Sequence, residues 1–396
     1  MDADDHRQLG QRLDLFHFQD EAPGMVFWHP RGWVLYRQLE DAVRRQLAAH
    51  AYREVRTPQV LRRPIWETSG HWQHYAEGML HLEEQAVQAA LKPVNCPGHV
   101  QILKHRVLSW RDLPVKLAEF GVVHRDEPSG TLHGLLRLRQ FTQDDGHVFC
   151  ADEHVVPEIA RFARSVGPFY RAFGFGEVSV ALSTRPASRA GSDADWDRAE
   201  RWLAEGAAAA GLSWAVQPGG GAFYGPKLEF VLRDERGRDW QCGTIQLDLQ
   251  MPRSFDVRYT APSGERVPVV MLHRALYGSL ERFLGILLEQ HGAALPAWLA
   301  PEQVLVVPIA PEHRDPAAGL ARELEARGLR VAVDERDETL GRRIALAHAA
   351  GIPFVAVLGA REIAAGQVAL RGRRGQEVLP RTEAVQKLAE ACAPLV

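Results

Sequence analysis

Cysteine is scarce in this sequence: four residues in 396, Cys96, Cys150, Cys242 and Cys392, set far apart along the chain. They are too few and too scattered for a disulfide scaffold and point to a reducing compartment, the cytoplasm. Long hydrophobic runs are missing too, so no segment reads as a membrane span. The N-terminus, Met1-Asp2-Ala3-Asp4-Asp5-His6-Arg7, is polar and acidic and lacks the apolar core of a secretion signal. Neither charge dominates: 47 Lys+Arg stand against 50 Asp+Glu, a formal net charge of −3. The absence of a basic excess argues only weakly against a nucleic-acid partner, because a large enzyme can gather its basic side chains on one face. Internal repeats and low-complexity tracts are absent as well, and the Ala-rich stretches sit inside helical patterns.

What is present is apolar material for full-size cores, 46% of residues, in a chain long enough for two or three domains. Tyr36 to His50 carries Leu39, Val43 and Leu47 at i, i+4 and i+8, the spacing of an amphipathic helix. Leu136 to Phe149 reads as a strand whose odd positions Arg137, Arg139, Gln143, Asp145 and His147 share one face. Gly243 to Gln250 reads as another, with Thr244, Gln246 and Asp248 facing one way and Ile245, Leu247 and Leu249 the other. Both polar faces hold more charge and amide than a solvated sheet needs. A leucine-rich helix is expected after His273, carrying Leu276, Leu280, Leu284, Leu287 and Leu288 and ending in the turn-rich stretch from His291 to Pro296. Beyond Pro301 the texture becomes βαβ. Strands are expected at Val304–Val307, Leu329–Val333 and Phe354–Leu358, and helices at Ala317–Arg327, Arg342–Ala350 and Thr382–Ala393. The boundary falls near residues 295–302, ahead of a small α/β domain.

The segment Phe120-Gly121-Val122-Val123-His124-Arg125-Asp126-Glu127-Pro128 puts Arg125 and Glu127 on one face of an extended stretch, followed by a Ser-Gly loop and a second strand with Arg137 and Arg139. An arginine fork suits a phosphate, and a neighbouring carboxylate can hold an adenine amino group. Taken alone, a surface Arg/Glu pair in a hairpin is the commoner reading. The polar strand faces downstream shift the balance toward a site.

These residues also carry a resemblance. Arg125-x-Glu127 and the loop to Arg137 look like motif 2 of class II aminoacyl-tRNA synthetases. Gly278-Ser279-Leu280-Glu281-Arg282 looks like motif 3, and the helix from Tyr36 with the strand leading to Pro58 resembles motif 1, the dimer-forming element. Three further segments are similar to the zinc-ligand segments of the threonyl members of that class: Lys92-Pro93-Val94-Asn95-Cys96-Pro97-Gly98-His99, Phe141-Thr142-Gln143-Asp144-Asp145-Gly146-His147 and Val267-Pro268-Val269-Val270-Met271-Leu272-His273-Arg274. Gly221-Ala222-Phe223-Tyr224-Gly225-Pro226-Lys227 and Gln241-Cys242-Gly243-Thr244-Ile245-Gln246 match the same family. The similarity runs from about Asp5 to the C-terminus.

The resemblance implies an α+β catalytic domain, residues 1–298, with the antiparallel class II sheet and flanking helices. An α/β anticodon-binding domain, residues 299–396, follows it. It implies one zinc ion per subunit on Cys96, His147 and His273. Spacing alone does not find that set: a lone cysteine is most often a buried small hydrophobe and a lone histidine a satisfied one. Three ligands of this type leave a fourth position open, as in zinc sites that act on substrates. Zinc would take the amino group and hydroxyl of threonine, so that valine, nearly isosteric, leaves polar groups unsatisfied. Asp145 would accept from the hydroxyl, with Gln143, Tyr224 and Gln246 holding the amino acid. Arg125 would meet the α-phosphate of ATP and Glu127 the adenine. Arg137 and Arg282 would steady the polyphosphate, with Gln241, Thr244 and Ser279 beside the nucleotide and Mg²⁺ bridging phosphates. His71 would assist transfer to the terminal adenosine of tRNA(Thr), although a capping role fits His71 as well. Lys227 would be an electrostatic helper.

Two departures qualify the picture. Glu362 and Arg371 match family anticodon contacts, but Arg336-Asp337-Glu338-Thr339 puts an acid where the family commonly has Asn, which costs amide donors and adds repulsion to RNA. The chain also begins almost at the catalytic region, without the editing segment most bacterial members carry, so an editing factor acting in trans is a possible partner. The expected activity is homodimeric threonine–tRNA ligase. A paralogue that hands threonyl-adenylate to another acceptor, or serves as an inhibitor-resistant copy, and a non-enzymatic relic are the rivals.

Overall fold

The computed structural model describes residues 5–84, 87–373 and 375–395. The chain divides into two compact units. One comprises Met1–His17, Val26–Ala42 and Leu287–Val396, the other Phe18–Met25 and Val43–Ile286.

An eight-stranded sheet organises the second of these. In chain order its strands are β1 (Arg53–Glu54), β2 (Val115–His124), β3 (Gln140–Cys150), β4 (Val178–Ser183), β5 (Ala215–Gln217), β6 (Lys227–Arg233), β7 (Asp239–Asp248) and β8 (Val270–Ala275). Across the sheet they run β5-β4-β6-β7-β8-β3-β2-β1. Pairing is antiparallel except at the edges, where β5 with β4 and β1 with β2 are parallel. The sheet is mainly antiparallel, as the resemblance implies, with a parallel pair at each edge.

The two faces differ chemically because strand side chains alternate. Ile245 and Leu247 of β7 are buried on the apolar side. Behind the sheet, the helix Asp152–Ala172 sets Phe162 edge-on to Phe230 of β6 and Phe169 against Tyr277, which Phe173, just past the helix end, also meets. The opposite face keeps Gln143, Asp145, Thr244 and Gln246.

Two elements start later than the sequence pattern predicts. The strand expected from Leu136 begins at Gln140, because Gly134–Leu136 is a 3-10 turn and Arg137 forms only an isolated bridge with His133. Arg139 gives its backbone N–H to Gly24 rather than to the ladder. Arg137 and Arg139 therefore belong to the loop. The leucine-rich helix runs over Leu280–His291, and Leu276 lies outside it. Gly278 stands at φ +79°, a left-handed conformation that ends any helix arriving from Leu276. Ser279 then caps the new helix, its hydroxyl accepting the N–H of Arg282 at 3.1 Å.

The other unit contains a five-stranded sheet in the order Val331–Val333, Val304–Pro308, Phe354–Leu358, Gln367–Gly372, Gly375–Pro380. The first three are parallel and the last two antiparallel. Helices Arg314–Glu325, Leu340–Ala349 and Arg381–Ala391 lie close to the expected spans. The hairpin of the last two strands and the short helix Ala360–Ala365 are not anticipated by the sequence pattern. Among the described residues no helix is long and apolar enough to cross a membrane.

Candidate active site and metal cluster

Strand register brings the first three residues together. His147 of β3 pairs directly with His273 of β8, and His273 with Gln246 of β7. Cys96 opens the helix Cys96–Lys104. One ligand atom from each of Cys96, His147 and His273 lies within 4.8 Å of the others. All three are buried, at 3%, 0% and 8% exposure. His147 Nε2 and His273 Nδ1 stand 2.9 Å apart. Each imidazole is held from its far side: His273 Nε2 meets Asp248 Oδ2 at 3.1 Å, and His147 Nδ1 meets His99 Nδ1 at 2.8 Å. Burial holds the Cys96 thiol well above the usual thiol range and keeps His147 neutral, a free base able to ligate. One sulfur and two imidazole nitrogens, oriented by outer hydrogen bonds, fit a zinc ion.

Above the cluster opens a cleft of about 570 Å³. Cys96, His273, Gln143, Asp145, Tyr224 and Gln246 line one part of it. The Tyr224 hydroxyl donates to Gln246 Oε1 at 3.1 Å, and Gln246 donates in turn to the Gly225 carbonyl at 3.0 Å. Arg125, Glu127, Arg137, Lys227, Gln241, Thr244, Ser279 and Arg282 also line the cleft. Arg125 lies over the Phe141 ring at 5.0 Å, a cation–π contact. Arg137 donates to Glu127 Oε2 at 2.9 Å, and Gln241 to Thr244 Oγ1 at 3.0 Å. Lys227 pairs with Glu229 at 2.7 Å. Arg282 Nε is buried with no hydrogen-bond partner among the described residues.

Two expected residues stand off the lining. His147 is wholly buried beneath it. His71 sits 4% exposed, edge-on to Trp66 and to Phe223, with Nδ1 2.9 Å from Ser69 Oγ. Burial pulls its pKa from the ordinary 6.5 down to about 4, so the ring is a neutral base at pH 7. In the other unit, Asp337 is exposed just ahead of Thr339, which N-caps the helix Leu340–Ala349. Glu362 accepts the Gly359 N–H at 3.1 Å and so caps its own short helix. Arg371 lies on Gln367–Gly372, opposite Val355 and Gln376.

Sequence reasoning assigned no role to several residues that build the site. Asn95 donates to Asp145 Oδ2 at 3.1 Å and points toward Gln143 Oε1 at 3.4 Å. It fits only because Gly121, opposite Gln143, has no side chain: a Cβ there would come within 2.1 Å of the Asn95 amide oxygen. Asp144 and Asp248 are further omissions. Alternation could have flagged Asp144, an acid on the apolar face of a strand.

The model of the tRNA synthetase class II core domain (G, H, P, S and T) matches residues 80–291, and an anticodon-binding domain model matches residues 303–391. The chain belongs to the class II tRNA synthetase family. A threonine–tRNA ligase of Methylibium petroleiphilum is 48% identical over 391 residues, covering 98% of this chain and 62% of that protein. A threonine–tRNA ligase of Cupriavidus pinatubonensis is 51% identical over 386 residues, covering 97% of this chain and 61% of its own length. The chain thus spans about three-fifths of the curated relatives it matches. Among solved structures, the RNA binding domain of threonyl-tRNA synthetase from Cryptosporidium parvum superposes with a TM-score of 0.92 at 38% identity, covering 98% of both chains. The branch of the family is the threonyl one.

Proposed function

We propose that the protein is a threonine–tRNA ligase: it joins threonine to ATP to give threonyl-adenylate and pyrophosphate, then passes the threonyl group to tRNA(Thr), releasing AMP. The observation that carries this is the meeting of Cys96, His147 and His273 at a cleft also lined by Asp145, Gln143, Tyr224, Gln246, Arg125 and Arg282.

A zinc ion on Cys96, His147 and His273 would supply a Lewis-acidic open position for the amino group and hydroxyl of threonine. Asp145, anchored by Asn95, accepts from that hydroxyl. Valine offers no such donor and would leave Asp145 facing a methyl group. Serine keeps the hydroxyl and lacks one methyl, a difference of about 1–3 kcal/mol, so some seryl-tRNA forms and an editing factor acting in trans would remove it. In the first step the threonine carboxylate attacks the α-phosphorus of Mg²⁺–ATP. Arg125 and Arg282 neutralise the phosphates, and Glu127 receives the adenine once Arg137 swings to the phosphates. Placement and charge neutralisation, not a strong base, drive this step. In the second step the ribose hydroxyl of the terminal adenosine attacks the adenylate carbonyl, with neutral His71, buried off the cleft lining, as the base that would relay its proton and Lys227 adding positive field.

We further infer that residues 1–298 form the catalytic domain and 299–396 the anticodon module, with RNA contacts near Asp337, Glu362 and Arg371. The ligase acts as a homodimer through the helix Pro30–Ala49, in the cytoplasm, where its four free, buried thiols stay reduced. Charging of total tRNA with labelled threonine, using zinc-replete protein and serine in parallel, tests the reading. Threonyl-tRNA is expected. Threonine-dependent pyrophosphate exchange without charging would assign the adenylate to another acceptor.

A further inference from the structure

Behind the metal cluster lies a chain of buried polar groups that the two reaction steps do not use. Lys92, His99 and Glu119 are 0%, 0% and 3% exposed. Glu119, on β2 directly across from Asp145, is the hub. It accepts the backbone N–H and the hydroxyl of Thr57 at 2.9 and 2.8 Å and the Lys92 ammonium at 2.9 Å. His99 Nε2 lies 3.2 Å from its other side. His99 Nδ1 then faces His147 Nδ1 at 2.8 Å.

The hydrogens in this chain follow from what each group can do. A carboxylate surrounded by an ammonium and an amide N–H is ionised and only accepts. His99 must therefore present Nε2–H to Glu119, which leaves a lone pair on its Nδ1. His147 must fill that lone pair from its own Nδ1–H. The hydrogen is thereby removed from His147 Nε2, the atom 2.9 Å from His273 Nδ1, while Asp145 Oδ1 stands 3.6 Å away, beyond hydrogen-bond reach. On the opposite side Asp248 does the same to His273, drawing its hydrogen to Nε2 and baring Nδ1. Two bare lone pairs then face each other at 2.9 Å, an arrangement that repels until a cation enters between them and Cys96.

We propose that Glu119, acting through His99, is a positioning residue that locks His147 in the metal-ligating tautomer, as Asp248 locks His273. Lys92 and Thr57 serve this relay by keeping Glu119 ionised and aimed. The inference rests on the zinc reading of the cluster. It adds that zinc affinity depends on a carboxylate that touches neither the metal nor its ligands.

The test is zinc binding by the full chain, stripped of metal and titrated against a competing chelator. Glu119→Asp keeps a charge beside Lys92 but draws it back from His99 by one methylene. His99→Phe keeps the ring and removes both hydrogen bonds. Each is expected to weaken zinc about 10- to 100-fold, the usual cost of losing such an outer partner. Zinc affinities within about twofold of wild type in both variants would overturn the relay while leaving the zinc reading intact. A wild-type chain that takes up no zinc would instead remove the zinc reading itself. Because a buried substitution can also unfold the chain, nitrogen-15 spectra of histidine-labelled wild-type protein give an independent check. His147 is expected as the Nδ1–H tautomer and His99 as the Nε2–H tautomer in the metal-free protein; the reverse assignment sinks the proposal.

Discussion

The carboxylate of Asp144 accepts the backbone N–H of Gly278 at 3.0 Å, binding strand β3 to the turn that launches the Leu280–His291 helix. The same carboxylate takes the N–H groups of Leu276 at 2.6 Å and Tyr277 at 3.0 Å, with the Arg274 guanidinium 3.6 Å away. A second tie is made by Glu281, which accepts the Thr142 N–H at 2.9 Å and the Ser279 hydroxyl at 3.0 Å. The strand that bears Gln143 and Asp145 thus sets where Ser279 and Arg282 enter the cleft. Asp144→Asn keeps the shape and loses one acceptor. We expect the KM for ATP to rise several-fold with that for threonine little changed, measured by pyrophosphate exchange at varied concentrations of each. Equal effects on both substrates would point to general loosening instead.

Metal removal should silence the first step. Dialysis against a strong chelator, or Cys96→Ser, is expected to cut threonine-dependent exchange by at least about tenfold. Added zinc should restore the chelated wild type and leave the variant low. Full activity in verified zinc-free protein would contradict the assignment of the cluster.

Asp145→Ala should blunt the choice between threonine and valine. A site built around a buried acceptor can reject an analogue lacking the hydroxyl by about 10⁴ or more, whereas an apolar pocket manages roughly a hundredfold. The ratio of kcat/KM for threonine over valine is expected to fall toward the lower figure, mainly through loss of threonine activation.

His71 gives stability a pH dependence whose sign is fixed by burial. Its pKa falls from 6.5 in the open chain to about 4 in the fold, so between those values the unfolded chain binds the extra proton. The stabilising contribution is complete above pH 6.5 and is lost as pH drops toward 4, by about 3 kcal/mol at most. His71→Phe should flatten that part of the acid limb in thermal unfolding followed from pH 7 to 4.5. An unchanged acid limb would mean that His71 titrates normally.

Much of the site was legible because strand alternation is short-range and its register is enforced by burial. Gln143, Asp145 and His147 share a face in the sequence pattern, and Thr244 and Gln246 share another. The cleft receives these residues, with His147 beneath. What the pattern misread are the ends. Arg137 and Arg139 continue the period into a loop, since alternation does not register the 3-10 turn at Gly134–Leu136. Leu276 fits a helical spacing that Gly278 interrupts. Cys96, His147 and His273 converge through pairing of strands far apart in sequence, which no local spacing encodes; only the family resemblance brought them together. Asn95, Asp144 and Glu119 escaped for a related reason. Their roles are to hold other residues, and that becomes visible only when partners separated by tens of residues meet.

The central claim is that this cleft activates threonine and is built to refuse its apolar isostere. Exchange of labelled pyrophosphate into ATP by the zinc-replete chain, run with threonine, serine and valine in parallel, tests it most directly. The account predicts rapid exchange with threonine, slower exchange with serine and almost none with valine. Exchange with valine as fast as with threonine, or none with any of the three, would contradict it.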